Sequence, residues 1–410
     1  MPNNSKNLGP LEFFSSISAS DSDLVGFDQH GNHTWLVNSP ELAKRVLASE
    51  QSSFINPTHE YPHLRSILTD EGKYLLKLID SRNDKSSTAF KKLQNKLFNH
   101  TSALILSIEE KLTTNKSIEL FPFLKEWMMV LLADILFDVD ASPDAKEFVK
   151  TWDIFEKNSL LAHETSASSL LPEHQQEWQS CNIFVSKIIQ KYKYDRFENH
   201  KVYQRDGYEV FTTAITRTLL NGYNGMATAL GWTLDLVRKD AKIQQKIFQE
   251  TQLNKDSSNI ELEQIADLTN LKLAIQTVKE SLRLYPPAWL LNRTALLDIK
   301  LGEHRVFEGQ GVCVCPYTLQ RSPKYWQKAD RFLPQRFAQS NHPEFAFIPF
   351  GGGSRRCPAA GTSLLMLAYM ISALLKKFKI TNSSSQPVAI WPLISLKPFP
   401  NITIDFEYRD

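Results

Sequence analysis

Residues 350–361 read F-G-G-G-S-R-R-C-P-A-A-G, and the fold of the chain can be inferred from this stretch outward. Three consecutive glycines permit backbone angles that are closed to other residues and let another group approach the backbone closely. Cys357 follows them, and Pro358 is predicted to open a helix, because proline suits the first helical position. The helix dipole and its free N–H groups favour a thiolate at Cys357, and Arg355 and Arg356 add positive charge.

A thiolate held by a glycine-rich loop is typical of a soft metal ligand. Haem iron with a proximal cysteine is the specific form of this chemistry, since the thiolate pushes electron density onto the iron and favours O–O cleavage. The alternative is a buried and inert cysteine. Cys313 and Cys315 form C-x-C on a predicted strand, but no second pair completes a zinc site, so we expect both to be small buried residues.

Composition places the chain among globular proteins. Its 410 residues are 42% hydrophobic and 22% charged, which excludes a disordered or fibrous chain. Lys and Arg total 47 against 45 Asp and Glu, and the net charge of +2 gives no indication of nucleic-acid binding. The four cysteines exclude a disulfide scaffold. The N-terminus lacks a signal-peptide pattern, and no apolar stretch reaches the ~20 residues that span a bilayer, so we expect a cytoplasmic protein without membrane insertion.

No composition shift marks a domain boundary, so we expect one domain over residues 1–410, and periodicity predicts that it is mainly α with a small β part. Ser39-Pro40 reads as an N-cap followed by a proline at the first helical position. Residues 15–22 read as a surface loop. Helical patterns cover 88–98, 101–114, 119–138, 143–163, 172–196, 208–238, 240–252, 262–284 and 358–378, and strand patterns cover 33–37, 293–301, 312–314, 379–380 and 402–406.

The 350–361 stretch resembles the haem-binding loop of the cytochrome P-450 superfamily, F-x-x-G-x-R-x-C-x-G. Phe350, Gly353, Arg355 and Cys357 occupy its defining positions, and Ala359 stands where glycine is usual. The resemblance implies the cytochrome P-450 fold and a haem b cofactor with Cys357 as the axial ligand of the iron. It also implies that Phe350 packs by the thiolate and that Arg355 pairs with a haem propionate, in a cofactor loop that includes Gly351.

Two further segments carry the resemblance, which is densest over 208–380. Glu280-Ser281-Leu282-Arg283 lies upstream of F-L-P-Q-R-F at 332–337, which is similar to the family's F-x-P-E-R-F. In that family Glu280, Arg283 and Arg336 would form a buried charged triad with a structural role. Arg293 would reach a haem propionate, with a strand-edge charge as the alternative. Lys91 on an early helix is the best match to a propionate-binding arginine, although a solvated helix face explains it equally well.

The central helix departs from the family pattern A-G-x-D/E-T-T, because Asn224 and Gly225 replace the acid and the alcohol that relay protons to dioxygen. A polar group of the substrate, or Thr228 one turn further on, would then deliver the proton. Alternatively, the enzyme does not activate dioxygen. Glycines within a helix also predict a bulge or a close ligand approach. The expected substrate pocket includes Leu220, Asn221, Ala288, Leu290 and Leu291.

The resemblance therefore implies a haem-thiolate monooxygenase of the soluble bacterial type that oxidises a small, mostly apolar molecule in a biosynthetic pathway. Its electrons would come from a ferredoxin or flavodoxin, with Arg356 near the docking surface, and we expect a monomer. A peroxygenase, dehydratase or isomerase with the same thiolate is the alternative enzyme. A non-catalytic haem protein is the alternative from another class.

Overall fold

A computed structural model describes residues 9–29, 31–55, 88–114, 117–164, 179–180, 183, 201–252, 270–339, 341–382 and 388–409. The helices in these ranges are α1 (Pro10–Ser18), α2 (Pro40–Lys44), α3 (Thr88–Thr113), α4 (Leu120–Phe137), α5 (Ala145–Glu164), α6 (Lys201–Arg238), α7 (Ala241–Gln252), α8 (Lys272–Leu284), α9 (Pro316–Leu319) and α10 (Ala360–Lys377). None of them is long and apolar enough to cross a bilayer.

The strands are short. They are β1 (Leu24–Gln29), β2 (Asn32–Val37), β3 (Phe54–Ile55), β4 (Ile118–Glu119), β5 (Leu291–Ala295), β6 (Ile299–Leu301), β7 (His304–Val306), β8 (Gly311–Val314), β9 (Phe378–Asn382), β10 (Ala389–Pro392), β11 (Leu396–Phe399) and β12 (Thr403–Tyr408). The expected fold class, mainly helical with a small β part, is confirmed.

The described chain divides into two compact units. The first comprises residues 1–60, 279–358 and 394–396 and contains a five-stranded sheet of order β1-β2-β8-β5-β3. Helix α2 begins as expected, since the Ser39 side chain accepts a hydrogen bond from the Leu42 N–H and Pro40 follows it. Its apolar residues pack with Leu47, Phe54 and Ile348 in the core of this unit.

The second unit comprises residues 61–278, 359–393 and 397–410. Helices α4 and α6 pack closely in it, and the rings of Phe121 and Trp232 meet edge to face at 5.6 Å. A Cβ at Gly231 would lie 2.7 Å from the Phe121 ring, so this glycine allows the close approach. Strand β12 pairs with both β4 and β9, which joins the C-terminal chain to the helices.

Several local predictions need correction. The patterns at 88–98 and 101–114 form one helix, α3, because nothing at 99–100 breaks the helical ladder. The expected loop at 15–22 begins inside α1, whose buried Leu11 and Phe14 stabilise it. The strand predicted at 293–301 is interrupted between β5 and β6. The helix predicted at 172–196 falls largely outside the described residues, as does the segment 262–269.

Candidate haem-thiolate site

Cys357 closes a compact loop in the first unit. Its thiol is half-buried and not in a disulfide, and its N–H donates to the Phe350 carbonyl oxygen at 2.8 Å. Gly351 and Gly353 have φ of +72° and +67°, in the region that favours glycine. A Cβ at Gly352 would lie 2.5 Å from the Phe345 ring. The three glycines are therefore required by backbone angle and by close packing.

The helix after this loop begins later than expected. Its first residue is Ala360, and Ala359 is the N-cap, whose carbonyl oxygen accepts from the Ser363 N–H at 2.8 Å. Pro358 therefore precedes the cap instead of occupying the first helical position. Cys357 lies three residues before the helix, which keeps it close to the positive end of the helix dipole.

The segment after α2 packs directly against the Cys357 loop. A Cβ at Gly353 would overlap the Leu47 carbonyl oxygen. The Ser354 N–H and hydroxyl both donate to Gln51 Oε1, at 2.9 and 2.7 Å. Arg355 Nη1 donates to the Phe54 carbonyl oxygen at 3.1 Å. Sequence reasoning missed Gln51, because its partner lies 303 residues away and no local pattern marks it.

Strand β5 carries Arg293, the other arginine that is predicted to pair with a haem propionate. Arg293 is 7% exposed, and its Nη1 donates to the Asn292 carbonyl oxygen at 2.8 Å. Leu291 Cδ1 lies 4.0 Å from the Cβ position of Gly351, so β5 runs beside the Cys357 loop. Leu290 and Leu291 are half-buried, and Ala288 is exposed.

Glu280 makes contact with both arginines of the expected triad. Its carboxylate is fully buried and accepts from Arg283 Nε and Nη2 at 2.8 Å each, and from Arg336 Nε at 3.0 Å. The Leu333 N–H also donates a hydrogen bond to Glu280 Oε1, at 2.9 Å. Arg283 also donates to the carbonyl oxygens of Gln320 and Ala329. This network joins α8 to the 320–338 segment, and removal of one partner would leave a charge buried and unpaired.

The second unit contains the oxygen-side candidates, all on α6. Asn224 is 3% exposed and Thr228 is fully buried, one turn apart. The helix is continuous through this region, so no bulge forms. Gly222 lies beside α4, where a Cβ would be 3.0 Å from Leu132 Cδ1, whereas a Cβ at Gly225 would meet no described atom within 4 Å.

The second unit also contains three other predicted residues, which differ in their exposure to solvent. Leu220 is buried on α6, and Asn221, the next residue, is exposed. Lys91 is exposed on α3. Its exposure fits the alternative of a solvated helix face.

The donor set fits a haem better than a metal ion held by side chains alone. Among the described residues, no three His, Cys, Asp or Glu side chains converge as a metal site. Cys313 and Cys315 are buried; burial raises the pKa of the Cys313 thiol and raises that of Cys315 to about 11, which keeps both protonated. Cys357 is the one described cysteine that is not fully buried, and Arg293 and Arg355 lie on elements of the same unit. A thiol in a glycine-rich loop with guanidinium groups in its unit suits a cofactor that carries carboxylates and provides the remaining iron ligands itself.

Comparison with known proteins supports this interpretation. The chain is 29% identical over 199 residues to Cytochrome P450 4V2 of Pongo abelii, a match covering 47% of this chain and 37% of that protein. It is 30% identical over 179 residues to Carotene epsilon-monooxygenase, chloroplastic, of Arabidopsis thaliana, covering 42% and 33%. It is 31% identical over 187 residues to Phenylacetaldehyde oxime monooxygenase CYP71AN24 of Prunus mume, covering 43% and 35%.

These matches span only a third or slightly more of each relative's length. The family model described as Cytochrome P450, in contrast, matches residues 5–404 of the chain. That range includes the Cys357 loop, the buried Glu280 network and helix α6. The chain therefore belongs to the cytochrome P450 family.

Proposed function

We propose that this protein is a haem-thiolate monooxygenase with Cys357 as the axial ligand of haem b. The observation that carries the proposal is the Cys357 loop, in which the Phe350 carbonyl and the left-handed glycines fix the backbone around one accessible thiol. Haem b, when bound, supplies iron that reduces and activates dioxygen. The residues that would hold it are Cys357, which would ligate the iron, Arg293 and Arg355, which would pair with propionates, and Phe350, which would pack by the sulfur.

We propose further that proton delivery is atypical. Asn224 does not titrate and Gly225 has no hydroxyl, so neither side chain can replace the acid and the alcohol of a proton relay. Thr228, buried one turn beyond Asn224, has the nearest hydroxyl of the predicted set along α6. A polar group on the substrate is the preferred source, since it would order water next to Gly225, where a Cβ would meet no described atom within 4 Å.

The proposed substrate is a small, mostly apolar molecule with at least one polar group, oxidised in a biosynthetic pathway. In the first unit the half-buried Leu290 and Leu291 offer apolar surface. In the second unit the exposed Asn221 amide offers both a donor and an acceptor. The proposed electron donor is a ferredoxin or flavodoxin in the cytoplasm.

The Asn224–Gly225 pair also favours a second candidate function, a peroxygenase, dehydratase or isomerase that does not activate dioxygen. The two functions differ in their need for an electron donor. Product formation that requires reduced donor and dioxygen supports the monooxygenase. Product formation with peroxide, or with neither oxidant nor donor, supports the second candidate.

The first test is the carbon monoxide difference spectrum of the reduced holoprotein beside its Cys357→Ser variant. We expect a red-shifted Soret band of the thiolate type in the wild type and its loss in the variant, because serine does not provide a thiolate. Cys315→Ala is the matched control, and it should keep the band because Cys315 is buried at the end of β8. A band that persists in Cys357→Ser would overturn the proposal.

A further inference from the structure

The turn that follows α2 is a π turn, Arg45–Ser49. The Glu50 N–H donates to the Arg45 carbonyl oxygen at 2.8 Å, five residues back. The Arg45 side chain also donates two hydrogen bonds to Glu50, from Nε to Oε1 at 2.6 Å and from Nη2 to Oε2 at 2.9 Å. Its Nη2 donates to the Lys300 carbonyl oxygen as well, at 2.8 Å. The hydrogen bond to Glu50 raises the pKa of Arg45. Single π turns recur at functional sites, and this one is fixed by a bidentate ion pair.

This turn places Gln51 against the Cys357 loop. Leu47 and Ala48 leave no room for a side chain at Gly353, so the two backbones touch. Gln51 Oε1 then accepts both hydrogen-bond donors of Ser354.

Ser354 belongs to a short 3-10 turn, Gly353–Arg355, that leads directly to the cysteine. The Arg356 N–H donates to the Gly353 carbonyl oxygen at 3.2 Å, and the Cys357 N–H to the Phe350 carbonyl oxygen at 2.8 Å. Both bonds lie within the same short stretch of backbone, so we expect a displacement at Ser354 to shift the backbone of Cys357.

We propose that Gln51 is a positioning residue for the thiolate. It holds Ser354 by two hydrogen bonds and thereby keeps Cys357 in the geometry that ligates iron. The inference rests on the proposed function, in which Cys357 is that ligand. Ser354 is exposed and Gln51 half-buried, so water can reach the Ser354 donors when the Gln51 acceptor is removed. Loss of Gln51 therefore loosens the loop without unfolding the unit.

The Gln51 side chain is uncharged, and this matters for the reduction potential of the iron. A carboxylate at position 51 would accept the same two bonds, but it would bring a negative charge near the thiolate. That charge disfavours reduction of the iron and lowers its potential. Gln51→Glu therefore separates the hydrogen-bonding role from the electrostatic one.

The experiment uses reduced, carbon monoxide-bound holoprotein under mild heating, at a temperature where circular dichroism shows every variant folded. Its first readout is the rate at which the thiolate-type Soret band converts to the band without thiolate ligation. We expect Gln51→Leu to convert about tenfold faster, a factor that corresponds to about 1.4 kcal/mol. Gln51→Glu should keep the slow rate and show a lower reduction potential, which is the second readout.

Gln310→Leu is the matched control. Gln310 Oε1 also accepts two hydrogen bonds in the same unit, from Trp35 Nε1 at 2.9 Å and the Phe307 N–H at 3.0 Å. Its loss should leave the conversion rate unchanged. A Gln51→Leu rate equal to that of wild type, or an equal acceleration in Gln310→Leu, would overturn the inference alone. A wild type without the thiolate band would overturn the proposed function together with it.

Discussion

Gly225 differs from Gly222 and Gly231 on α6 in what a side chain would meet there among the described residues. Gly222 and Gly231 face α4, where Leu132 and Phe121 would meet a Cβ within 3.0 Å, whereas no described atom lies within 4 Å of a Cβ at Gly225. A glycine in a helix interior is about 1 kcal/mol less favourable than alanine. A helix glycine that meets no packing partner among the described residues is consistent with space that a ligand uses.

We predict that Gly225→Thr folds normally and restores an alcohol at this position. The free energy of unfolding should stay equal or rise by a few tenths of a kcal/mol, about the difference in helix propensity between glycine and threonine. If the missing hydroxyl limits proton delivery, the ratio of product formed to electrons consumed should change with the variant. The measurement is that ratio with the native substrate or its best surrogate.

Gly222→Thr provides the comparison for this experiment, because its Cβ would press on Leu132 and it should lose stability. An unchanged product-to-electron ratio in a well-folded Gly225→Thr protein would contradict the proposal that the absent alcohol matters.

Three elements of the second unit meet at a buried cluster of four charges. Lys125 of α4 lies 2.5 Å from Asp153 of α5, and Lys397 of β11 contacts Asp153 at 3.2 Å and also Glu156. Burial, together with the charge of Lys397, lowers the pKa of Lys125 to about 8. Burial would raise the pKa of Asp153, but the two ammonium groups lower it overall.

We predict that Lys125 makes stability depend on pH above neutrality. The native state releases the Lys125 proton near pH 8, whereas the unfolded chain holds it until about 10.5. The unfolded state therefore binds more protons in this window, and the free energy of unfolding gains a positive slope with pH. Lys125→Met should remove that slope, measured by urea unfolding at about pH 7.5 and about pH 9.5.

Lys150→Met is the control for the cluster, because Lys150 is an exposed lysine of α5. It should keep the slope of the wild type. Equal slopes in the wild type and Lys125→Met would show that the buried lysine does not titrate in this window.

At the scale of the whole molecule, charge is nearly balanced, with 47 basic against 45 acidic side chains. Such a balance gives no general attraction for an acidic protein, so the proposed docking surface for the electron donor would have to be local. Arg356 is exposed and adjacent to Cys357. The relatives compared here come from an animal and two plants, so they add no support for the soluble bacterial type.

We predict that Arg356→Glu slows reduction by the electron donor while leaving the thiolate-type spectrum intact. Reversal of one charge at a docking surface mainly changes the association rate, and the effect should shrink as salt is added. The measurement is stopped-flow reduction under carbon monoxide. Lys242→Glu makes the same charge change at an exposed residue of α7, and this variant should be reduced at the rate of the wild type. Equal reduction rates for the two variants would count against docking at Arg356.

Local backbone features could be predicted well from the chain. The N-cap at Ser39, the ends of α4 and α10 to within two residues and the glycine requirement before Cys357 depend on residues a few positions apart. The interruption between β5 and β6 could not be predicted, because the apolar pattern continues across it. Helix α1 could not be predicted, because serines are typical of loops and only two of its residues, Leu11 and Phe14, are buried. Its start at Pro10 gives too weak a signal on its own.

The glycine-rich cysteine loop, the helical class of the chain and the lack of an acid and an alcohol at positions 224 and 225 can be read from the amino-acid sequence alone. These follow from residue type and short-range spacing, which set backbone angles and side-chain chemistry directly. Three contacts emerged only from the folded arrangement: Gln51 holds Ser354, Lys125 and Lys397 share Asp153, and Gly222 lies against α4, whereas a Cβ at Gly225 would meet no described atom. The partners of these side chains come from distant parts of the chain, and only packing of the folded elements brings such groups within hydrogen-bonding distance.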